Sequence, residues 1–314
     1  MTTIGIEAPK PKMHHTALVR TQGFTAMMLL LPAVLVVFGI IVYPIIRTGV
    51  YAATDVTSAL QTEADFVGFA NFAKAISTQA FWNSLGRTLY FTVVSTSLEL
   101  VFGLGIAGLL NAKIRGRWIL RTIIVIPWAI PTVVNGALWK GILNSQFGAL
   151  NALLLQTGII SSYSEAPIWL GTPWMAMNMV IMADVWKTVP LVAFMLLAGL
   201  SSIPDEIYEA AKIDRAGRVR TLWSITLPLL LPSVSIVLVL RIIEAFKVFD
   251  IIYAMTRGGP ANGTMAIAYY TYSIAFSTQK FGVGSSLAYI IVLVIAILSA
   301  IYLRALRRSE MSLL

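Results

Sequence analysis

The stretch "EIYEAAKIDRAGRVRTLWSITLPLL", residues 206–230, lies between two long apolar runs of the chain. Seven of its first fifteen residues are charged. Because charged side chains are costly in hydrocarbon, this segment must lie in water between two membrane spans. Its Glu-Ala-Ala core favours helix, so we expect an ordered helix that a partner outside the bilayer can contact.

The composition of the whole chain is that of an integral membrane protein. Hydrophobic residues make up 58% of the 314 residues and charged residues 12%, and the mean hydropathy is +0.81. These values are far from those of soluble domains. The sequence has no cysteine, which excludes disulfides, thiolate metal ligands and a thiol nucleophile.

Six apolar stretches are long enough to cross a bilayer as helices, which takes about 20 residues each. They cover residues 24–46, 89–110, 122–139, 175–200, 227–252 and 284–303. No small-residue cleavage site follows the first stretch, so we expect an uncleaved span there rather than a signal peptide. The sequence therefore predicts an all-α membrane protein with six transmembrane helices.

Three of these stretches carry ionisable residues at membrane depth, where such groups normally face a cavity or a partner. Glu99 lies in the second stretch, and Asp184 and Lys187 lie in the fourth. The fifth carries Arg241, Glu244, Lys247 and Asp250, which alternate in sign at i, i+3 spacing. Ion pairs that only hold helices together, between Asp184 and Lys187 and within the fifth stretch, are the alternative to contacts with a solute.

The basic residues are distributed unevenly between the two sets of connections. Fourteen of the 23 Lys and Arg residues lie in the two tails and in the second and fourth connections, against six in the alternate set. Under the positive-inside rule, both termini and the fourth connection are cytoplasmic. The formal charge of +9 thus reports topology and does not indicate nucleic-acid binding.

These features predict three segments of different character. Residues 1–23 form a cytoplasmic tail, residues 24–305 a six-helix membrane domain with a cytoplasmic loop over 201–227, and residues 306–314 a second tail. Within the loop, Pro204 suits the first turn of a helix and Gly217 its end. A second short helix over 218–226 would then lead back to the membrane; a loop that only anchors topology is the alternative.

Three motifs follow one another in this loop. They are Glu209-Ala210-Ala211, Asp214-Arg215-Ala216 and Ile225-Thr226-Leu227-Pro228. They resemble the signature Glu-Ala-Ala, Asp-Gly-Ala, Ile-x-Leu-Pro of permease subunits in binding-protein-dependent ABC importers of the maltose and glycerol-phosphate type. Arg215 stands where that pattern has Gly, so we expect Gly217 to supply the turn.

Four further stretches resemble the same family in the same order. They read "FVGFANF", "IPWAIPTVVNGALWKGILNSQFGALN", "DVWKTVPLVAFMLLAGLSSIP" and "FKVFDIIYAMTRGGPANGT". The resemblance covers nearly the whole chain beyond the first twenty residues, and it implies a permease fold with a cytoplasmic coupling helix between spans four and five.

The resemblance also implies how this chain shares its work with partners. The coupling helix would dock on a separate ATPase, with Glu209 as an acidic contact and Ala210 and Ala211 allowing close approach. The implied coupling residues are Glu209, Ala210, Ala211, Asp214, Ala216, Gly217, Leu227 and Pro228. The sequence has no P-loop, so we expect no catalytic residues, metal or cofactor in this chain, with ATP and Mg²⁺ held by the ATPase.

The implied assembly lies in the cytoplasmic membrane of a bacterium or archaeon. It would contain a second, related permease subunit, two ATPase subunits and an extracytoplasmic solute-binding protein that delivers a sugar or sugar derivative. The bilayer is the remaining partner, and no nucleic acid is expected.

The resemblance places a solute pathway on spans three, four and five. The implied residues are Trp128, Thr132, Asp184, Lys187, Thr188 and Arg241. Trp128 would stack on a sugar ring and Asp184 would accept from hydroxyls. Arg241 would either bind an anionic group or neutralise Glu244 or Asp184. Pro127, Pro131 and Gly136 predict kinks in span three, which open a cavity or are only tolerated bends.

Three other classes of function remain as alternatives. An ion-coupled secondary transporter would use the membrane-depth carboxylates, but it would not need the loop around Glu209. An intramembrane enzyme lacks a suitable base, because His14 and His15 both lie in the N-terminal tail. A purely structural subunit would leave the polar groups within the spans unexplained.

Overall fold

The structure, a computed structural model, describes residues 15–58, 61, 64–112 and 115–311, and these form helices without a β-strand. The predicted all-helical fold is confirmed. Residues 1–14 of the predicted N-terminal tail and residues 312–314 of the C-terminal tail lie outside the described residues, as does Lys113 of the second basic connection.

Fourteen α-helices follow one another within the described ranges. They are α1 His15–Val37, α2 Tyr43–Ala52, α3 Ala70–Ile76, α4 Gln79–Asn111, α5 Arg117–Ala129, α6 Thr132–Ile142, α7 Ala149–Gln156, α8 Pro173–Ser201, α9 Asp205–Ile213, α10 Arg218–Thr221, α11 Leu227–Phe246, α12 Asp250–Met255, α13 Ile267–Tyr272 and α14 Phe281–Met311. Segments of π-helix at Phe38–Val42, Leu222–Thr226 and Ser273–Ser277 connect or extend them.

The chain divides into two compact units, residues 1–51 and residues 52–314. In the first unit, α1 continues through a π turn into α2, which gives a candidate span over Ala26–Ala52. This span agrees with the predicted one over 24–46.

The second unit contributes the remaining candidate spans. Four are uninterrupted, namely Gln79–Asn111, Pro173–Ser201, Arg218–Phe246 and Phe281–Tyr302. The described residues therefore hold five uninterrupted candidates, or six if the bent pair α5 and α6 counts as one span.

The predicted span over 122–139 is broken in the structure, so it is either one bent span or a re-entrant pair of helices. α5 ends at Ala129, α6 begins at Thr132, and the two helices are bent by 92°. Pro131 cannot donate a backbone hydrogen bond, and it disfavours the helical conformation of the residue before it. Ile130 accordingly has φ −73° and ψ 129°.

The predicted second helix over 218–226 is helical in the structure, but it is not a separate short helix. α10, the π turn and α11 form one continuous helix over Arg218–Phe246. Pro228 has no N–H to donate, and the π turn just before it, in which the Leu227 N–H donates to the Leu222 carbonyl, carries the helix to this position. The first turns of the fifth span thus belong to the same rod as the end of the loop.

The fifth span ends earlier than the predicted 227–252. α11 stops at Phe246, and Lys247 and Phe249 leave the helical conformation before α12 begins at Asp250. α12 packs closely on α6, since a Cβ on Gly136 would lie 2.6 Å from that of Ala254. The sequence has no helix breaker between α11 and α12. The contact of α12 with α6 accompanies the change of chain direction there.

α8 is the central helix of the second unit and packs against α4, α5 and α11. Gly103 lets α4 approach it closely, since a Cβ on Gly103 would lie 2.6 Å from Cγ1 of Val192. Such close packing holds the polar faces of α4, α8 and α11 next to one another.

Candidate functional site

A buried ion pair joins α4 to α11. Nε and Nη2 of Arg241 donate to the two carboxylate oxygens of Glu99 at 2.7 and 3.0 Å. Glu99 is fully buried and Arg241 is 8% exposed. Two-pronged bonding of this kind is among the strongest contacts between a guanidinium and a carboxylate, so the main partner of Arg241 lies within its own chain.

Asp184 on α8 completes this arrangement. Its Oδ2 lies 3.6 Å from Nη2 of Arg241, and we call Glu99, Arg241 and Asp184 the charge cluster. The sequence prediction paired Arg241 with Glu244 or Asp184 and missed Glu99. The available signal was that Glu99 is the only charge in its span and therefore needs a partner.

A cavity of about 400 Å³ opens beside the charge cluster, and we call it the polar cavity. It is lined by Phe91, Thr132, Asp184, Lys187, Thr188, Arg241, Glu244, Ala245, Lys247, Val248, Phe249, Asp250 and Ile251. Five of the six residues predicted for the solute pathway are among them. The break between α5 and α6 contributes directly, because it places Thr132 at the start of α6.

Trp128 is the sixth predicted pathway residue, and it lies outside the lining of the polar cavity. It belongs to α5, before the break, and its side chain is exposed. The 92° bend separates the environment of Trp128 from that of Thr132, which a single straight span would have kept on neighbouring turns.

The remaining charges of the polar cavity are one ion pair and two residues, Lys187 and Asp250, without a salt bridge in the described ranges. In the ion pair, Nζ of Lys247, the residue that follows α11, lies 3.0 Å from Oε1 of Glu244, and both side chains are exposed. The predicted Asp184 to Lys187 pair is absent, because Asp184 faces Arg241. Within the described ranges, Lys187 has no salt bridge, so its ammonium is available to a hydroxyl acceptor.

The loop between α8 and the Arg218–Phe246 rod contains the predicted helix as α9. Pro204 precedes it as the N-cap instead of lying in the first turn, and Arg215, not Gly217, makes the turn that ends it. Arg215 has φ +54°, and the N–H groups of Arg215 and Ala216 donate to the carbonyls of Lys212 and Ala211.

This pair of bonds is the left-handed helix cap that normally uses glycine. Gly217 is extended, with φ −66° and ψ 161°, and it precedes α10. The predicted role of Gly217 as the stop of the helix is therefore wrong.

α9 presents one face to solvent and one to its own chain. Glu209, Ala210 and Ile213 are exposed, whereas Ala211 is buried. The side chain of Ala211 is thus not free for a partner, contrary to its predicted role. Of the other predicted coupling residues, Asp214 caps α9, and Leu227 and Pro228 begin α11.

A side-chain contact ties α9 to the rod. The hydroxyl oxygens of Tyr208 and Thr226 lie 3.4 Å apart, and Thr226 is buried. Thr226 is the last residue of the π turn that leads into α11. A displacement of α9 would therefore act on the same helix that carries Arg241.

No group of three or more His, Cys, Asp or Glu side chains in the described part of the chain could hold a metal ion. Of the acidic side chains that line the polar cavity, Asp184 lies beside Arg241 and Glu244 beside Lys247.

The sequence matches a known protein family over residues 99–310, described as "Binding-protein-dependent transport system inner membrane component". The trehalose/maltose transport system permease protein MalF of Thermococcus litoralis is 38% identical over 88% of this chain and 92% of the relative. The sulfoquinovosyl glycerol transport system permease protein SmoG of Agrobacterium fabrum is 36% identical over 91% of each.

Solved structures share the fold. A chain of a bacterial alginate ABC transporter, crystallised with a periplasmic protein bound to an alginate pentasaccharide, superposes with a TM-score of 0.80. The match covers 94% of this chain and 98% of that chain at 20% identity. At that identity the likeness concerns the fold alone.

Proposed function

Because the chain belongs to the family of binding-protein-dependent transport system inner membrane components, we propose that it forms half of the solute pathway of an importer for a neutral sugar. Members of this family are membrane transport subunits, and ATP is hydrolysed in separate subunits. Family membership confirms the resemblance seen in the loop motifs and disfavours an ion-coupled transporter.

The observation that carries the proposal is the polar cavity. A cavity of about 400 Å³ lies within the range of small-ligand sites, roughly 300 to 1,000 Å³. Asp184 and Glu244 offer acceptors, Lys187 and Lys247 offer donors, and Thr132 and Thr188 offer both. Such a lining suits the many hydroxyl groups of a sugar.

The charge of the solute follows from what Arg241 already binds. Its guanidinium is occupied by Glu99, with Asp184 beside it. Together, Glu99 and the lining hold four carboxylates and three cations, a formal charge of −1. This balance disfavours an anionic solute. One relative is named for trehalose and maltose and another for sulfoquinovosyl glycerol, so the names leave solute charge open.

We assign ATPase docking to α9. Glu209, Ala210 and Ile213 belong to its exposed residues, and they suit a cleft with a cationic group beside an apolar surface. Two ATPase subunits would bind this chain and a second, related permease subunit, and an extracytoplasmic binding protein would deliver the sugar. The excess of Lys and Arg on the α9 side supports a cytoplasmic position in a bacterial or archaeal membrane.

The proposed mechanism is alternating access. Closure of the ATPases moves α9, and the Tyr208 to Thr226 contact passes the movement to the rod. Arg241 lies fifteen residues beyond Thr226, which is about 22 Å along a helix. The charge cluster would hold α4, α8 and α11 together. The three helices would therefore move as one relative to α6, whose Thr132 also lines the polar cavity, and the shape of the cavity would change.

Reconstitution tests this function. The chain would be placed in proteoliposomes with its second permease subunit, ATPases and binding protein, and uptake of radiolabelled trehalose and maltose measured. We expect accumulation that requires both ATP and loaded binding protein. Concentrative uptake by the chain alone, under a proton or sodium gradient, would contradict the proposal.

A further inference from the structure

An aromatic cluster continues outward from the polar cavity. We give this name to Phe249, Tyr253, Tyr269, Tyr272 and Phe276, which come from the segment after α11, from α12, from α13 and from the π turn that follows. The centroid of Phe249 lies 5.6, 5.9 and 5.2 Å from those of the three tyrosines. Phe276 extends the cluster from Tyr272 at 5.2 Å.

The aromatic cluster and the polar cavity share a residue. Phe249 lines the polar cavity together with Arg241 and Lys247, and its ring is nearly parallel to those of Tyr253 and Tyr269, at 26° and 28°. The cluster follows the end of the Arg218–Phe246 rod, about 42 Å from the end next to α9. With α9 cytoplasmic, the cluster lies at the outer mouth.

Rings of this cluster keep surface that other side chains do not cover. Tyr253 is 39% exposed and Phe276 is 61% exposed. The hydroxyls of Tyr253, Tyr269 and Tyr272 have no hydrogen-bond partner within the described ranges, although each ring contacts others of the cluster. A surface of flat apolar faces edged by free hydroxyls matches a sugar ring, which has apolar C–H faces and a hydroxyl rim.

A membrane-interface belt of tyrosines is the competing explanation, because Tyr and Trp gather at the headgroup level of membrane proteins. Belt residues point towards lipid. Phe249, at the centre of the cluster, instead borders a cavity with six charged lining residues, where an acyl chain would leave those charges without solvent.

We propose that the aromatic cluster is a carbohydrate-binding subsite at the outer mouth, on which a sugar ring stacks before it enters the polar cavity. The subsite rests on the proposed function, since it receives sugar from the binding protein. Stacking tolerates different hydroxyl patterns because it reads the C–H face, and the polar cavity then contacts the hydroxyls.

The test compares Tyr253→Leu and Tyr272→Leu with Tyr253→Phe in the assembled complex in proteoliposomes. Radiolabelled trehalose and maltose serve as probes, and both sugar taken up and ATP hydrolysed are measured with loaded binding protein. We expect each Leu variant to lower sugar transported per ATP about three- to tenfold, as loss of ring stacking predicts, while ATPase stimulation persists. Tyr253→Phe keeps the ring and should stay within about twofold.

The matched control is Tyr163→Leu, since Tyr163 is 42% exposed and lies outside the cluster. Wild-type coupling in both Leu variants would overturn the proposal and favour the interface belt. Loss of the second permease subunit from the Leu complexes on gel filtration would overturn it too, because the cluster would then be an assembly contact. A wild-type complex without ATP-dependent sugar uptake would instead contradict the proposed function.

Discussion

Arg241 connects three helices through its side chain alone. Its guanidinium bonds twice to Glu99 on α4 and lies 3.6 Å from Asp184 on α8. A buried pair of this kind adds little net stability compared with apolar packing, but the loss of one partner leaves a buried charge uncompensated. If Arg241 has a structural role, its removal should therefore lower the stability of the complex measurably.

We predict that Arg241→Gln destabilises the complex even without solute. Glu99 would remain fully buried without its cation, at a cost of about 3 to 5 kcal/mol. The measurement is thermal unfolding of the detergent-solubilised complex, with sugar uptake followed in parallel. Unchanged melting with uptake lost would mean that Arg241 serves the solute rather than the fold.

Two further variants make this prediction specific. Lys247→Gln removes an exposed cation from the same cavity, and we expect it to cost less than about 1 kcal/mol. Glu99→Gln combined with Arg241→Gln removes both charges, and it should recover most of the stability that the single variant loses. If the double variant is no more stable than Arg241→Gln, the uncompensated charge of Glu99 is not the cause of the lost stability.

Arg215 illustrates strain at a single residue. Its φ of +54° places a non-glycine side chain in the left-handed region, which costs roughly 1 to 2 kcal/mol. We predict that Arg215→Gly stabilises the end of α9 by about 1 kcal/mol. Hydrogen exchange at the Ala216 amide, which bonds to Ala211, should slow. Gly217→Ala is the control, because Gly217 is extended and needs no glycine; faster exchange in Arg215→Gly would contradict the assignment.

Sequence patterns identified most residues of the site but not how they pair. The resemblance pointed to Arg241, Asp184 and Lys187, and all three line the polar cavity. The partner of Arg241 lies 142 positions away on another helix, and no local spacing encodes that contact. Arg215 likewise makes the turn that ends α9. The sequence prediction gave this turn to Gly217, because glycine is the residue that most often ends a helix.

At the scale of elements, the hydropathy of the sequence predicts where most membrane-spanning helices lie, but it does not predict where a helix bends or breaks. Five of the predicted spans correspond to uninterrupted helices, at 26–52, 79–111, 173–201, 218–246 and 281–302. The span over 122–139 contains two prolines, yet its composition cannot distinguish a kink from a right-angle break. The sequence has no helix breaker at Phe246, where α11 ends, and the structure shows α12 packed closely against α6 just beyond this point.

We predict that Glu209→Lys uncouples the complex without unfolding it. Glu209 is exposed on α9, so the substitution costs little stability, but it would place a cation against the cationic ATPase surface that the docking proposal requires. The measurement is ATPase stimulation by loaded binding protein in the assembled complex, which should fall to the basal rate.

Glu165→Lys provides the charge-reversal control. Glu165 is also exposed, and it lies in the short 3₁₀ turn Tyr163–Glu165, where it accepts from the Ser161 N–H. We expect its complex to keep normal stimulation. If Glu209→Lys behaves in the same way, Glu209 is only a residue of the helix surface.

At the scale of the whole molecule, the proposed ATPase-docking helix α9 and the polar cavity lie next to opposite ends of the Arg218–Phe246 rod. α10, which follows α9 in the chain, begins this rod, and Lys247 and Phe249 of the polar cavity follow its other end. In the proposed mechanism, this arrangement lets an ATPase bound to α9 act on a sugar in the polar cavity. What the cavity accepts then depends on its charge.

Lys187 decides between a neutral and an anionic solute. It is the cation of the polar cavity without a salt bridge in the described ranges, because Arg241 is bonded to Glu99 and Lys247 to Glu244. A hydrogen bond to a neutral hydroxyl contributes about 0.5 to 1.5 kcal/mol, against about 1.5 to 3 kcal/mol when a charged group takes part. Gln at this position keeps a donor and loses the charge.

We therefore predict that Lys187→Gln lowers uptake of trehalose or maltose by less than about fivefold, since the donor to a neutral hydroxyl persists. Uptake by the reconstituted complex with its own binding protein is the measurement, and Thr188→Val, which removes a neighbouring hydroxyl of the same cavity, is the matched control. Wild-type complex should take up neither sulfoquinovosyl glycerol nor another sulfonated sugar. Uptake of a sulfonated sugar, lost about 30-fold or more in Lys187→Gln as expected for a broken charge-assisted bond, would show that Lys187 binds an anion. In that case the formal charge of the polar cavity would not exclude an anionic solute, because Lys187 would bind it directly.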